Sequence, residues 1–476
     1  MAKKLIFILG MVVLLGALSL CLFLLNRPAT AAEPVSPALP EVEYLIDYRD
    51  EKYGGLDSVT VKNEKGEYTV LPGDPPSIPG WESLITSTYP LARIVDVCGS
   101  LSSRGLVAEE ADLAVYGLDT PRARVEIKTR SGDGTTLSIG NDVPDGAGIY
   151  VCLEGRPAVY QAGKWELDNF FQGVFDFVDK ELSPQLPDDG YGGFEFSAIT
   201  LGGAVRPDGP VKVIYEEQKD VQPGRISNAY RISSPIEASL NLDKGYTILK
   251  SLPGLSADRA VARLGGKEDL ARYGLDTPYS TAFVSGTLGQ GLGGFGLLVS
   301  KPDAGGNVYI CRQGGELIYQ AAASKLPWLE VGWWDLMDKM IILPFIDDIA
   351  QVELISPQRR VSFNLSGEGD DLKVEAQGVE LDTKFFRSYY QSLLSAVYDE
   401  YTDDKIPPGA QPIMEIVYRY RDGRPPNRVS FYASSSRRVF TSLNGGRPFY
   451  TYSAYITKVQ NDLDQLLEGK KVLPYL

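Results

Sequence analysis

Histidine and cysteine, two side chains that many enzymes use for acid–base, nucleophilic and metal chemistry, are absent or scarce in this chain of 476 residues. It contains no histidine, which excludes catalysis by Ser–His or Cys–His pairs and any histidine-ligated metal. Its four cysteines are Cys21, Cys98, Cys152 and Cys311, and none belongs to a C-x-x-C pair. Cys152 and Cys311 hold equivalent positions in two similar segments, so we predict small buried side chains rather than a bridge between them. A Cys98–Cys152 disulfide stays open as the alternative.

Carboxylates and glycines form local groups that match known sites only in part. Acidic residues gather in two short segments, Asp47, Asp50, Glu51 and Asp57, then Asp399, Glu400, Asp403 and Asp404. Neither group has the spacing of an EF-hand, so we interpret both as solvated turn charges. Residues 289–294 fit G-x-G-x-x-G, but a strand follows where the dinucleotide fingerprint requires a helix. We therefore predict that the protein is not an enzyme and has no catalytic residue, cofactor or metal. A hydrolase that uses a pair of carboxylates ranks third, after the two non-enzymatic functions given at the end of this section.

One stretch near the C-terminus is rich in arginine and contains no lysine. Its seven arginines are Arg419, Arg421, Arg424, Arg428, Arg437, Arg438 and Arg447. Asp422 is the one acidic residue between the first and the last of them. Arginine recognises carboxylate and phosphate groups bidentately, so we predict an anion-binding or partner-binding surface here, against the alternative of a solvated β-face. The net charge of −15 and the lack of a global basic footprint exclude nucleic acid as a partner.

The strongest internal signal is a repeated motif, Tyr-Gly-Leu-Asp-Thr-Pro, at residues 116–121 and 273–278. We expect a short helix over residues 109–116, a left-handed glycine just past its end, and a leucine that folds back as the C-cap contact. A turn and a proline that opens a strand follow. The motif residues are Tyr116, Gly117, Leu118, Asp119 and Pro121 in the first copy, and Tyr273, Gly274, Leu275, Asp276 and Pro278 in the second.

The same order of elements is predicted around each copy of the motif. A β-hairpin and a helix precede it, at residues 58–71 and 84–97 in the first copy, and a four-stranded meander and a closing helix follow it. That closing helix covers residues 165–180 in the first copy. Trp333 and Trp334, with Phe345 nearby, lie after the second meander. We interpret them as core under a closing helix, against the alternatives of a glycan platform or a membrane-facing edge.

A third and eroded copy is predicted after residue 346. It has lost the motif but keeps the strands and a helix whose apolar face is Phe385, Phe386, Tyr389, Tyr390, Leu393, Leu394 and Val397. The predicted units are residues 41–186, 191–346 and 347–476. Strands in short hairpins, interrupted by helices, predict an α+β fold of tandem antiparallel β-meanders and hairpins with packed helices, after one N-terminal transmembrane helix.

The chain begins with a segment typical of a membrane anchor. Residues 5–25 carry no charge, and as a helix they would span about 31 Å, close to the ~30 Å hydrocarbon core of a bilayer. Lys3 and Lys4 precede the segment and only Arg27 follows nearby, so the positive-inside rule leaves the N-terminus in the cytoplasm. We therefore predict a single-pass protein of the cell membrane whose bulk is extracytoplasmic.

The boundaries of this anchor leave alternatives. We assign residues 1–27 to the transmembrane anchor and residues 28–40, rich in proline and alanine, to an extended linker. Residues 29–31 fit an A-x-A cleavage site, which would make the segment a removable signal peptide. Cys21 would mark a lipoprotein, although the residue before it is leucine where a small residue is expected. All three alternatives place most of the chain outside the cytoplasm.

These features together resemble a bacterial family, domain of unknown function 4340. Residues 116–161 carry the resemblance best, including Leu137-Ser138-Ile139-Gly140 and Tyr150, and residues 269–320 are the second match. Members of this family often lie beside genes for ABC-type export systems related to gliding-motility transporters. The resemblance therefore implies an extracytoplasmic accessory role, and it supplies no catalytic residue.

The expected function is that of a membrane-anchored, extracytoplasmic accessory or scaffold protein, without enzymatic activity, associated with such a transport system. Its expected partners are the membrane, through the N-terminal helix, and an ABC transporter permease or an envelope component. The alternative is a module that binds an anionic polymer or glycan of the cell envelope, for which the arginine-rich stretch is the candidate surface.

Overall fold

The computed structural model describes residues 16–17, 43–185, 196–215, 230–287, 294–435 and 437–473. Within these ranges, sheets of seven, nine and eight strands follow one another along the chain, together with one two-stranded pair and several short helices. All strand pairs there are antiparallel. The prediction of repeated antiparallel sheets with a few helices is confirmed. The chain divides into two compact units, Met1–Phe177 and Val178–Leu476.

Two predicted segments fall largely outside this description. The anchor and linker, residues 1–40, lie outside the described residues except for Gly16 and Ala17, which are helical. Residues 289–293 of the glycine-rich segment lie outside them as well. In the ranges that the structure covers, no helix has both the length and the apolar character needed to cross a membrane.

The first sheet belongs to the first compact unit. The elements of this unit are β1 (Tyr44–Asp47), β2 (Leu56–Asn63), β3 (Gly66–Val70), α1 (Tyr89–Gly99), β4 (Ser100–Ser102), β5 (Gly105–Ala108), β6 (Ala123–Thr129), β7 (Gly134–Asp142), β8 (Gly148–Leu153), β9 (Val159–Gly163), α2 (Lys164–Leu167) and α3 (Val174–Phe177). The seven strands run in the order β3-β2-β6-β7-β8-β9-β5, and β1 pairs with β4. Helix α1 buries Leu91, Ile94 and Val97. It begins later than the predicted residue 84, because Pro90 sits in its first turn, where proline favours a helix start.

The predicted closing helix, residues 165–180, is broken into α2, a 3-10 turn (Asp168–Phe171) and α3. The side-chain amide of Asn63, at the end of β2, donates hydrogen bonds of 2.8 Å to the carbonyls of Phe170 and Gln172. A continuous helix would use those carbonyls for its own next turn. The carbonyls at the break therefore bond a side chain distant in sequence, a contact that helical periodicity cannot reveal.

The second sheet opens the second compact unit. Its elements are β10 (Phe196–Gly202), β11 (Val211–Tyr215), β12 (Tyr230–Ser234), β13 (Ala238–Ser239), α4 (Leu242–Lys250), β14 (Arg259–Arg263), α5 (Lys267–Arg272), β15 (Ser280–Thr287), β16 (Phe295–Val299), β17 (Asn307–Arg312), β18 (Leu317–Ala322) and α6 (Trp333–Leu336). The strands run in the order β13-β12-β11-β10-β15-β16-β17-β18-β14. The central four, β15 to β18, form the predicted meander after the repeat motif.

The third sheet has lost the motif and keeps the architecture. Its elements are β19 (Ile349–Ile355), β20 (Arg360–Ser366), β21 (Lys373–Ala376), β22 (Val379–Leu381), α7 (Thr383–Leu394), β23 (Met414–Tyr420), β24 (Asn427–Ala433), β25 (Arg438–Leu443), β26 (Phe449–Tyr452) and α8 (Ser453–Leu467). The strands run in the order β22-β21-β20-β19-β23-β24-β25-β26. Helix α7 buries Phe386, Tyr389, Tyr390 and Leu393 as predicted, whereas Val397 lies beyond its end.

A polar side chain ties the first hairpin of each sheet to the segment that closes that sheet. In the first sheet this is Asn63, described above. In the second it is Arg206, which reaches the carbonyls before α6. In the third, the Arg359 guanidinium lies 2.6 Å from the Asp464 carboxylate on α8. The three sheets therefore share a tertiary contact that their sequences do not share as a motif.

Candidate functional site

Each copy of the repeat motif places its leucine on a sheet beside a cysteine. In the first sheet, Leu118, Cys152 and Val159 are buried together, and Tyr116 and Tyr150 pack against them. The second sheet repeats the cluster with Leu275, Cys311, Ile318, Tyr273 and Tyr309. The two tyrosine rings meet edge to face in both, with centroids 4.9 Å apart and planes at 73°. Each copy of the motif therefore builds a small apolar cluster on its own sheet.

The C-cap geometry predicted for the motif is confirmed. Gly117 and Gly274 both have φ 67°, in the left-handed region. The Leu118 N–H donates to the Leu113 carbonyl at 2.9 Å, and the Gly117 N–H donates to Ala114 at 3.2 Å. This is the hydrogen-bond pair of a Schellman motif. The helix before it is a single 3-10 turn that starts at Leu113 rather than at residue 109.

Gly140 lets the first copy of the motif approach the sheet. A Cβ at this position would collide with the Tyr116 carbonyl oxygen and lie 3.0 Å from Leu118 Cδ2. Ser300 stands at the corresponding place in the second sheet, where its hydroxyl accepts a hydrogen bond of 2.9 Å from the Tyr309 N–H. Gly140 is therefore needed in the first sheet because a side chain there would clash with the motif.

The polar members of the motif show no chemistry beyond the turn. The Thr120 hydroxyl lies 3.3 Å from the Asp119 carboxylate, and Thr277 lies 3.4 Å from Asp276, all of them at the surface. Pro121 and Pro278 lead into β6 and β15 as predicted. The structure thus supports a structural account of the motif.

The three described cysteines are buried free thiols. Cys98, Cys152 and Cys311 form no disulfide, so the alternative Cys98–Cys152 bridge is not present. Burial raises the pKa of each thiol. A raised pKa leaves little thiolate, the form that acts as nucleophile or metal ligand. The prediction of small buried side chains at Cys152 and Cys311 is confirmed.

The arginine-rich stretch folds into strands β23 to β25, where carboxylates from elsewhere join it. Glu353 on β19 is 5% exposed and lies between two guanidinium groups, 2.7 Å from Arg360 and 3.2 Å from Arg419. Burial alone would raise the pKa of Glu353, but the hydrogen bonds from the two arginines outweigh it, and the pKa is lowered from 4.5. The carboxylate is therefore held ionised by its partners.

Glu415 forms a second pair on the same sheet. Arg428 lies 2.7 Å from its carboxylate, and the Ser430 hydroxyl donates a bond of 2.7 Å to the other oxygen. Strands β23 and β24 hold these residues side by side, since Glu415 is the register partner of Ser430. Charged pairs across neighbouring strands stabilise a sheet.

The remaining arginines of the stretch lie at or just beyond the ends of strands β23 and β25. Arg424 pairs with Asp348 and Asp422, Arg438 with Glu400, and Arg447 with Asp403. Arg421 donates to the Gly367 carbonyl at 2.8 Å. The Arg437 side chain is exposed. Five of the seven arginines therefore have carboxylate partners, and the stretch is an ion-paired surface rather than a bare cationic one.

Trp333 and Trp334 belong to an aromatic cluster inside the second compact unit. Trp333 is buried, with its ring centroid 5.1 Å from that of Tyr401, and Trp334 stacks on Phe449 at 5.5 Å. Phe345 lies apart from them and is exposed. The cluster joins α6 to the third sheet, in agreement with the interpretation as core.

One cationic groove was not anticipated from the sequence. It has a volume of about 660 Å³ and lies where β2 ends and β6 begins. Its lining is Lys62, Asn63, Glu64, Pro121, Arg122, Arg124 and Phe171. These cations come from segments far apart in sequence, so only the pairing of β2 with β6 brings them together. Across the described ranges, no group of three or more acidic or cysteine side chains is arranged to hold a metal ion.

Comparison with known proteins identifies the family. The model of the family described as Domain of unknown function (DUF4340) matches residues 88–278 and 230–411, two overlapping copies that together cover more than half of the chain. No curated protein matches the chain, and no solved structure does. The two copies agree with the repeat in the sequence and with the successive antiparallel sheets. The chain belongs to the DUF4340 family.

Proposed function

We propose that this protein is a membrane-anchored, extracytoplasmic accessory or scaffold protein of an ABC-type export system related to gliding-motility transporters, and that it has no enzymatic activity of its own. The observation that carries the proposal is the repetition of one sheet-and-helix module behind a single N-terminal apolar segment. Repeated modules suit an extended contact surface. The association with a transporter rests on the genetic setting typical of the family.

The chemistry of the described surface supports a scaffold. The charged residues of the third sheet are engaged with one another, as in Arg360–Glu353–Arg419. The thiols are buried and have raised pKa values. Side chains held in this way favour a rigid recognition surface over proton transfer or nucleophilic attack.

The placement of the protein is tested with a reporter fused after residue 476. A periplasmic-type reporter that needs an extracytoplasmic environment should be active, and one that works only in the cytoplasm should be silent. Exchanging Lys3 and Lys4 for glutamate while adding lysines after residue 27 should reduce the extracytoplasmic signal, because the positive-inside rule then favours the opposite orientation. An active cytoplasmic reporter on the unchanged chain would overturn the placement.

The non-enzymatic part of the proposal has a separate test. The purified full-length chain in mild detergent should hydrolyse none of a panel of esters, glycosides and peptidoglycan above the level of a heat-denatured sample. Turnover of any of these substrates would favour the hydrolase alternative.

The alternative function, binding of an anionic envelope polymer or glycan, is favoured by one observation. Arg421 and Arg437 have no carboxylate partner in the described part of the chain, and Arg437 is exposed. Replacing both by serine should leave the melting temperature unchanged. If the alternative is correct, it should weaken polymer binding most at low salt, since exposed charges are screened as salt rises. Identical binding by the double variant would remove this alternative.

A further inference from the structure

The groove at the ends of β2 and β6 lies in the first compact unit and has no part in the proposed scaffold role. We propose that it is a binding site for an oxyanion, a phosphate or a carboxylate, carried on an apolar or aromatic body. The proposal rests on the charges of the groove, on its aromatic wall and on its difference from the second sheet.

The first step is the charge of the groove. Lys62 on β2 is the register partner of Arg124 on β6, and Arg122 lies two residues before Arg124 on the same strand. Two like charges directly opposite one another destabilise a sheet. Glu67 lies 3.4 Å from Lys62, but both side chains are more than half exposed, so this pair offsets little of the repulsion. Glu64 is the one carboxylate of the lining, against the three cations Lys62, Arg122 and Arg124. The groove therefore keeps an excess of positive charge, which a bound anion would offset.

The second step is the state of the two arginines. The Arg122 guanidinium lies over the Phe171 ring at 4.1 Å and pairs with Asp142 at 2.8 Å, so its position is fixed. Asp142 is shared with Lys164 at 2.7 Å, which leaves this group with an excess of positive charge. The Arg124 side chain makes no hydrogen bond and no ion pair with any residue that the structure describes. Its guanidinium donors therefore remain available to a ligand.

The repeated sheet architecture does not require the cations Lys62 and Arg124. In the second sheet, Gly202 and Thr281 are register partners at the place that Lys62 and Arg124 occupy in the first. Each pair lies beside a buried register pair, Val61–Val125 in the first sheet and Leu201–Ala282 in the second. Gly202 and Thr281 are themselves buried, whereas Lys62 and Arg124 are exposed. The same architecture therefore forms with a glycine and a threonine, and the cations of the first sheet serve something other than folding.

The last step is the class of ligand. Two arginines offer planar donor forks that match the oxygens of phosphate and carboxylate. Phe171 and Pro121 add an apolar wall beside them. A volume of about 660 Å³ falls in the range of small-molecule sites, roughly 300–1,000 Å³. An anionic head with an apolar or aromatic body uses both parts of the groove.

The test is calorimetric titration of the full-length chain in a non-ionic detergent. The probes are phenyl phosphate, benzoate, inorganic phosphate and the neutral analogue phenol. Phenyl phosphate or benzoate should bind at least tenfold more tightly than phenol, and the tighter of the two identifies the preferred oxyanion. Inorganic phosphate should bind more weakly than phenyl phosphate, because it cannot contact the apolar wall. If the two bind equally, the site recognises the anion alone, and the part of the proposal that concerns the apolar body is contradicted.

Variants locate the binding. Arg124→Thr and Lys62→Thr place a good strand former at exposed positions and should each weaken binding at least tenfold. Lys128→Thr is the matched control, because Lys128 lies on the same strand, is exposed and pairs with Glu126 outside the groove. It should change the Kd by less than twofold. The proposal is overturned if neither anion outbinds phenol in the unchanged chain, a result that needs no variant, or if Arg124→Thr and Lys128→Thr have equal effects.

Discussion

At the scale of single residues, Glu353 shows how the third sheet accommodates a stretch rich in arginine. The carboxylate is almost fully removed from solvent, yet both of its oxygens accept from guanidinium groups. A buried charge is tolerated when it is paired and hydrogen-bonded. Arg360 and Arg419 keep part of their own surface in water, so the arrangement avoids a fully buried ion pair with its large desolvation penalty.

The first prediction concerns the stability that Glu353 contributes. Glu353→Gln keeps the shape of the side chain and removes its charge, so we expect a loss of about 1–3 kcal/mol in the free energy of unfolding at pH 7. Glu375→Gln, at an exposed position on β21 of the same sheet, is the control and should cost less than about 0.5 kcal/mol. Thermal or denaturant unfolding of the full-length chain measures both. Equal effects of the two substitutions would contradict the role assigned to Glu353.

The second prediction is the pH dependence of that contribution. The pKa of Glu353 is lower in the folded protein than its ordinary value of 4.5. A lowered folded-state pKa gives stability that is complete above the unfolded pKa and is lost as the pH falls through the folded pKa. The difference in melting temperature between the unchanged chain and Glu353→Gln should therefore be constant from pH 8 to pH 6 and shrink below pH 4.5. A difference that grows on acidification would show the opposite linkage.

At the scale of elements, the repeat motif acts as a cap that covers one patch of a sheet. Its glycine ends a helical turn, its leucine enters a small core, and its tyrosine packs against a tyrosine of the meander. The same arrangement recurs in the second sheet. The motif therefore identifies a packing arrangement that the chain uses twice.

The third prediction tests the close approach at Gly140. Gly140→Ala adds a methyl group against the Tyr116 carbonyl and Leu118, and overpacking of this kind typically costs about 1–3 kcal/mol. Gly99→Ala is the matched control, because Gly99 ends α1 and a Cβ there meets no atom within 4 Å. The control should leave stability unchanged or raise it by up to about 1 kcal/mol. If both variants unfold at the same denaturant concentration, the account of Gly140 is wrong.

The fourth prediction concerns Arg206, whose side chain is buried at 7% exposure. We call its hydrogen bonds to the hairpin and to the segment before α6 the Arg206 clamp. Arg206 donates to the carbonyls of Gly202 and Trp328 at 2.6 Å and to the Ser280 hydroxyl at 2.9 Å. Burial lowers its pKa to about 10. Arg206→Met leaves these neutral acceptors without this donor, and we expect a loss of about 1–3 kcal/mol, the cost typical of buried polar groups left unsatisfied.

The control for this clamp is Arg259→Met, at an exposed position of β14 in the same sheet, which should cost less than about 1 kcal/mol. Chemical denaturation monitored by tryptophan fluorescence measures the stability of both variants. Trp328, whose carbonyl accepts from Arg206, is one of the five tryptophans that contribute to the signal. If the denaturation curve of Arg206→Met overlays that of the control, the stabilising role assigned to Arg206 is contradicted.

The sequence predicts the local features of these elements and misses those that depend on strand register. The Schellman cap at Gly117 follows from neighbouring residues, so the Tyr-Gly-Leu pattern suffices to predict it. The ion pairs of Glu353 and the groove of Lys62 and Arg124 arise from strands that meet only in the folded sheet. The hydrogen bonds at the break of the first closing helix likewise come from Asn63, more than a hundred residues away. Pattern and periodicity carry no information on such contacts.

At the scale of the whole molecule, three successive sheets repeat one plan while their surfaces differ. The first carries the cationic groove, the second replaces its key cations with Gly202 and Thr281, and the third carries the ion-paired arginines. Divergent surfaces on a repeated framework suit a protein that contacts more than one partner. The two compact units each contain such a surface, so their contributions can be separated by substitution.

The fifth prediction, and the most direct test of the proposed accessory role, is quantitative co-purification from detergent-solubilised membranes. The full-length chain should retain the permease subunits of an ABC exporter in a fixed ratio that survives increasing salt. A chimera in which an unrelated transmembrane helix replaces residues 1–27 separates retention by the anchor from retention by the described units. If the account is correct, the chimera keeps at least part of the permease signal. If the full-length chain purifies without any permease subunit, the central claim is contradicted.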